Sequence, residues 1–191
     1  MSMVNKVITM TEVNSEDDLR HYGVIGMKWG VRKQDALFIS GSSKTQDKAS
    51  EYHRSRLPKV IRAEIDQAIQ KGTKIVIGDA PGIDRQVQNY LKRQKYDNVE
   101  IYGPGQKVRY SANKKWKTHP IDAPEFEVGS PEWLAKKDQL MAEMATKGLA
   151  IVLDEGGSKA TRKNVERLIN AHKDVKVYEL SKLGKKNDIW I

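Results

Sequence analysis

The sequence predicts an α/β fold built on a parallel sheet covered on both faces. Two observations predict it. Five short apolar runs, mostly β-branched, each end in turn-forming residues or at a helix-like segment. Longer segments with helical apolar spacing alternate with them. Continuous apolar strands joined by helical crossovers are buried on both sides, as parallel strands are.

The first run, Ala36-Leu37-Phe38-Ile39, is closed by Ser40-Gly41-Ser42-Ser43. Leu57, Ile61, Ile65, Ala68 and Ile69 then fall on one helical face, and Gly72 ends that helix. Lys74-Ile75-Val76-Ile77 is the second run, closed by Gly78-Asp79-Ala80-Pro81-Gly82. Ile83, Val87, Tyr90 and Leu91 mark the second helix. Val99-Glu100-Ile101-Tyr102 is the third run, closed by Gly103-Pro104-Gly105. Pro131 opens a third helix with apolar Leu134, Leu140, Met141 and Met144. Leu149–Leu153 is the fourth run, closed by Asp154-Glu155-Gly156-Gly157. Thr161, Val165, Leu168, Ile169 and His172 mark the fourth helix, and Val175–Tyr178 the fifth strand. Residues 35–191 thus read as one domain, with 104–130, which carries Pro104, Pro120 and Pro124, as a long connection or insertion. Residues 1–34 read as an N-terminal arm with no strand signal and a short helix near Ser15–Arg20.

Composition narrows the chemistry. The chain has 191 residues, 38% of them hydrophobic, which is enough for one core. It has no cysteine, which excludes disulfides, thiol catalysis and thiolate metal sites. Its four histidines show no HxH or HxxxH spacing, so no metal site is expected. No apolar run suggests a membrane span, and acids at Glu12, Glu16, Asp17 and Asp18 exclude a secretory h-region. The net charge of +9 raises the expectation of an anionic partner. The excess is spread along the chain without a basic tail, so nucleic acid is not favoured. GxGxxG, GxxxxGK[ST] and GxSxG are absent, which disfavours a dehydrogenase, a P-loop enzyme and an α/β-hydrolase.

Ligands of open parallel sheets bind beyond the strand C-termini. The residues there are Ser40, Gly41, Ser42 and Ser43, then Asp79, Gly82, Asp84 and Arg85, then Asp154, Gly156, Gly157, Ser158, Lys159 and Thr161. Glycine turns leading into helix N-termini suit phosphate, with hydroxyls and Lys159 beside them. An ordinary strand–helix turn capped by Ser158 is the alternative. Lys107–Lys117 interleaves five cations with Tyr110 and Trp116. It suits base stacking, a lid over a nucleotide, or a solvated loop.

Ile77-Gly78-Asp79-Ala80-Pro81-Gly82-Ile83-Asp84 resembles the GGAxGxD turn of the SLOG superfamily, which joins DprA proteins, LOG phosphoribohydrolases and small relatives. Asp154–Thr161 is similar to the WDGxSxGT turn, and Asp138–Glu143 to the RDxxMAE stretch, of those small relatives. The resemblance spans about residues 35–180. It implies a Rossmann-like three-layer fold, with five parallel strands in the order 3-2-1-4-5 and nucleotide-derived ligands at the strand ends. The LOG signature PGGxGTxxE is not preserved, and Asn164 stands about where its Glu would be. Glycosidic cleavage then falls to Asp84 or Glu143. A helix N-terminus should keep Asp84 ionised, so Glu143 is the expected acid/base.

In the arm, His21–Lys33 resembles the HYGVxGMKWGVR segment of structural and head-associated proteins of tailed phages of Gram-positive bacteria. It implies a docking strip with Tyr22, Met27 and Trp29, or a strap onto the domain. The expectation is a phage or prophage protein in the host cytoplasm or on the virion. It binds, and in one reading hydrolyses, an ADP-ribose-type ligand without a cofactor, with a phage structural protein as a candidate partner of the arm. The alternative is a non-catalytic virion-associated or DNA-binding protein. Homo-oligomerisation is left open.

Overall fold

The computed structural model describes residues 7–8, 34–43, 57–153 and 159–183. In order, the elements are β1 (Val7–Ile8), β2 (Ala36–Gly41), α1 (Lys59–Gln70), β3 (Lys74–Gly78), α2 (Ile83–Arg93) and β4 (Val99–Pro104). They continue with β5 (Lys117–Ile121), α3 (Pro131–Met144), β6 (Lys147–Val152), α4 (Lys159–Asn170) and β7 (Asp174–Glu179). One sheet orders the strands β1-β7-β6-β2-β3-β4-β5. Six of them are parallel, and β1 pairs antiparallel with β7.

The α/β architecture therefore stands, but five strands in the order 3-2-1-4-5 is corrected to seven. The added strands lie at the two edges. β5 falls inside the segment read as a loop, and β1 inside the arm read as lacking a strand. An edge strand needs no apolar run, so Lys117-Thr118-His119-Pro120-Ile121 carries no such signal. Proline is tolerated there because β5 is an edge strand among the described residues. Side chains fasten β5 instead. His119 stacks on Tyr102 at 4.4 Å between ring centroids, and its Nε2 lies 3.0 Å from Glu100 Oε2.

Helices cover both faces. Ile61, Ile65 and Ala68 of α1, with Ile83, Val87 and Leu91 of α2, pack on Leu37, Ile39, Ile75, Ile77 and Ile101. Met141 and Ala142 of α3 and Leu168 of α4 pack on Ala36, Phe38, Val76 and Ala150. Each fully buried isoleucine is worth roughly 2–3 kcal/mol. α3 starts as expected, with Pro131 in its first turn and the Ser130 hydroxyl accepting the Trp133 N–H at 3.1 Å. Its buried face differs from the expected one. Lys137, Asp138, Met141 and Ala142 turn inward, while Leu134 and Met144 are exposed. No helix among the described residues is long and apolar enough to cross a membrane.

Candidate functional site

The C-terminal ends of β2, β3 and β4 are tightly interlocked. An ideal Cβ on Gly41 would lie 2.3 Å from Ile83 Cβ, so β2 abuts the first turn of α2 with no room for a side chain. The Ile83 N–H donates to the Ser42 carbonyl at 3.1 Å. Gly82 caps α2 at φ +85°, and a Cβ there would meet the Ser42 carbonyl oxygen at 2.3 Å. Only glycine combines that dihedral with that approach. From the other face, Asn164 of α4 donates Nδ2–H to Ser40 Oγ at 2.9 Å. Arg167 in turn donates to Asn164 Oδ1 at 2.5 Å. Asn164 thus holds a serine of the first turn.

Above β3 sits a buried group of charges. Asp79, fully buried, accepts from the Arg109 backbone N–H at 2.7 Å and from Arg109 Nε at 3.1 Å. Its second oxygen pairs with Arg109 Nη2. Asp84, on the first turn of α2, is only 6% exposed and accepts the Ala80 N–H at 3.3 Å. Lys137 and Asp138, from the second turn of α3, are each 7% exposed and form an ion pair. Burial pushes the Asp84 carboxyl from its ordinary 3.8 up to about 7. Lys137 pulls it down, while Asp138 and Asp79 add to the rise. The Asp79 hydrogen bonds hold the Arg109 guanidinium above its ordinary value.

The surroundings of the two carboxylates differ from those expected. Glu143 is exposed near the C-terminus of α3, where its backbone carbonyl accepts from Lys173 Nζ at 3.0 Å. That is the N-terminal end of the strands, away from the glycine turns. Asp84 is the desolvated one. Burial outweighs the helix dipole, because Asp84 turns inward beneath the β3 turn instead of facing water at the helix start.

The structure brings Ser40, Gly41, Ser42, Gly82 and Asp84 together. Asp79 lies with them, but its oxygens are taken by Arg109. Ser43 is exposed beside this turn. In α4, Thr161 is buried and Lys159 exposed. Arg85 lies with its Cζ 4.6 Å from the centroid of the Tyr110 ring, and its Nε is buried without a hydrogen-bond partner among the described residues. Asp154, Gly156, Gly157 and Ser158 lie outside the described residues, as do Tyr22, Met27 and Trp29.

Of the three readings of Lys107–Lys117, base stacking loses both its aromatics to the fold. Trp116 is buried, donating Nε1–H to the Tyr96 carbonyl at 2.9 Å. Tyr110 has Arg85 on its ring and donates its hydroxyl to Asn89 at 2.6 Å. The loop is a fastened wall. Gln88, fully buried, accepts the Ala112 N–H at 3.0 Å and donates to the Gly78 carbonyl at 2.8 Å. Sequence reasoning missed Lys137, Gln88 and Arg109. Only the inward turn of α3 and the path of the loop reveal them.

A separate cavity of about 220 Å³ lies at the opposite end of the sheet, lined among others by Leu37, Glu64, Lys147 and Lys176. None of the expected site residues lines it. Among the described residues, no group of three or more His, Asp or Glu is arranged to hold a metal ion.

A family model described as a family of unknown function (DUF7211) matches residues 10–36, the stretch containing the His21–Lys33 segment. No curated protein matches the chain.

Proposed function

We propose that this chain is a phage or prophage protein whose Rossmann-like, SLOG-like domain binds a nucleotide-derived ligand of the ADP-ribose type at the ends of β2, β3 and β6. The observation that carries the reading is the buried Asp84 carboxyl beside Gly78 at the strand C-termini, next to the tight Gly41 and Gly82 turns. A helix N-terminus at the strand ends suits phosphate, and a desolvated carboxyl suits ribose hydroxyls. The arm, in this reading, docks onto a phage structural protein.

Asp84 also favours a second activity, hydrolysis of the N-glycosidic bond. A carboxyl near neutral pKa serves as a general acid. Protonated Asp84 gives its proton to the leaving base nitrogen as the C1′–N bond breaks. Water adds its oxygen to C1′ and returns a proton to the Asp84 carboxylate. The products are the free base and the ribose with a 1′-hydroxyl.

A thermal-shift screen with ADP-ribose, nucleoside mono- and diphosphates and single-stranded DNA tests the binding reading. ADP-ribose-type ligands should raise the melting temperature. Stabilisation by single-stranded DNA alone would replace this reading with the DNA-binding one. Release of free base, followed by chromatography, should fall about 10²-fold or more in Asp84→Asn. Tight binding without turnover in the wild type would leave a sensor or sponge.

A further inference from the structure

We propose that Lys137 is a positioning residue of this site: with Asp138 it forms a buried charge unit that fixes the protonation state of Asp84. The inference rests on the ligand-binding reading above and adds residues from α3 to it.

Lysine is rarely buried unless paired. Here the Lys137 side chain is 8% exposed and contacts Asp138 Oδ1. Adjacent side chains on a helix normally diverge, so an inward pair of successive charges on α3 is unusual. Both turn toward the end of β3. Gly78 is the residue beneath them. An ideal Cβ on Gly78 would lie 2.4 Å from Asp84 Oδ2 and 3.3 Å from Lys137 Nζ. Carboxylate and ammonium therefore share the space that a side chain at Gly78 would fill.

The surroundings of Asp84 are set from every side. Its own turn offers the Ala80 N–H. The end of β3 offers Asp79, neutralised by Arg109 from the loop. α3 offers Lys137 and Asp138. Asp79 and Asp138 each have a cation of their own. Asp84 has no ion-pair partner of its own among the described residues, and the Lys137 ammonium lies across the Gly78 position from it. Burying three carboxylates and a lysine costs stability, and such clusters at strand ends are functional-site candidates.

The arrangement makes a prediction of opposite signs. Lys137 favours ionised Asp84. Asp138 opposes it, both by its charge and by engaging the ammonium. The test is carboxyl-carbon NMR of the full chain titrated between pH 4 and 9, with the Asp84 signal assigned from Asp84→Asn. Lys137→Met should raise the Asp84 midpoint by about one pH unit or more, and Asp138→Asn should lower it comparably. A merely structural role would give no such opposition. Should Lys137→Met fail to fold by circular dichroism, the direction in Asp138→Asn decides alone. Midpoints that stay together, or move the same way, overturn the proposal. Calorimetric titration of wild type with ADP-ribose runs alongside. Absence of binding there would remove the ligand reading while the NMR result still judges the charge unit.

Discussion

Asp79 and Arg109, thirty residues apart, join the end of β3 to the loop after β4 through the Arg109 backbone N–H and its guanidinium together. The aspartate side chain is fully buried and the arginine side chain 46% exposed. A Cβ on Gly103 would lie 2.4 Å from Asp79 Oδ2, so β4 leaves the space in which the carboxylate sits. An apparent ligand residue is thus spent on holding the wall of the site.

Arg109→Ala should therefore act on stability first. It leaves Asp79 with the backbone N–H but without its cation. Taking the cation from a buried carboxylate costs about 1–3 kcal/mol, less than for a pair buried on both sides because the guanidinium is half exposed. Urea unfolding at pH 7 measures it. A loss below about 0.5 kcal/mol would mean that the pair behaves as an exposed surface bridge.

Asp84→Asn should stabilise the protein at alkaline pH. The carboxyl goes from 3.8 in the unfolded chain to about 7 in the fold. The folded state therefore binds the extra proton between those values, and stability falls as pH rises through that window. At about 1.4 kcal/mol per pH unit, the cost approaches roughly 4 kcal/mol above pH 7. The amide keeps the Ala80 acceptor and carries no charge. Its melting temperature should exceed that of wild type by several degrees at pH 8 and match it near pH 4. A constant difference across pH would show that Asp84 does not titrate in this window.

Gly41→Ala should cost about 1–3 kcal/mol, because the new methyl meets the branched body of Ile83 rather than a flexible tip. Alanine at 83 would keep the Cβ that the methyl meets, so it is in an Ile83→Gly background that the same change should cost clearly less. Equal costs in both backgrounds would mean that the strain lies elsewhere.

Removal of residues 1–33 takes away β1, a two-residue edge strand, and leaves both apolar clusters intact from Ala36 onward. The truncated chain should melt cooperatively by circular dichroism. An insoluble or molten product would support the strap reading of the arm.

The sequence made the buried strands and helices legible because burial on two faces leaves a continuous apolar run. It hid β5, whose partner side is open and whose hold comes from His119 on Tyr102 and Glu100. It misjudged part of α3, since Leu134 and Met144, placed on its apolar face, are exposed while Lys137 and Asp138 turn inward. Glycine turns at the strand ends were legible from local spacing. The burial of Asp84 and the exposure of Glu143 were not, because burial is decided by tertiary packing above Gly78. Trp116 read as a stacking residue for the same reason: an aromatic among lysines looks exposed until its loop folds back on Tyr96.

The most direct test of the central claim is amide chemical-shift mapping of the full chain with ADP-ribose. Saturable shifts should cluster at Ser40–Ser43, Gly78–Asp84 and the start of α4, with little change around Leu37, Glu64 and Lys147 at the opposite end of the sheet. Absence of saturable shifts, or shifts confined to that opposite end, would contradict a ligand site at the ends of β2, β3 and β6.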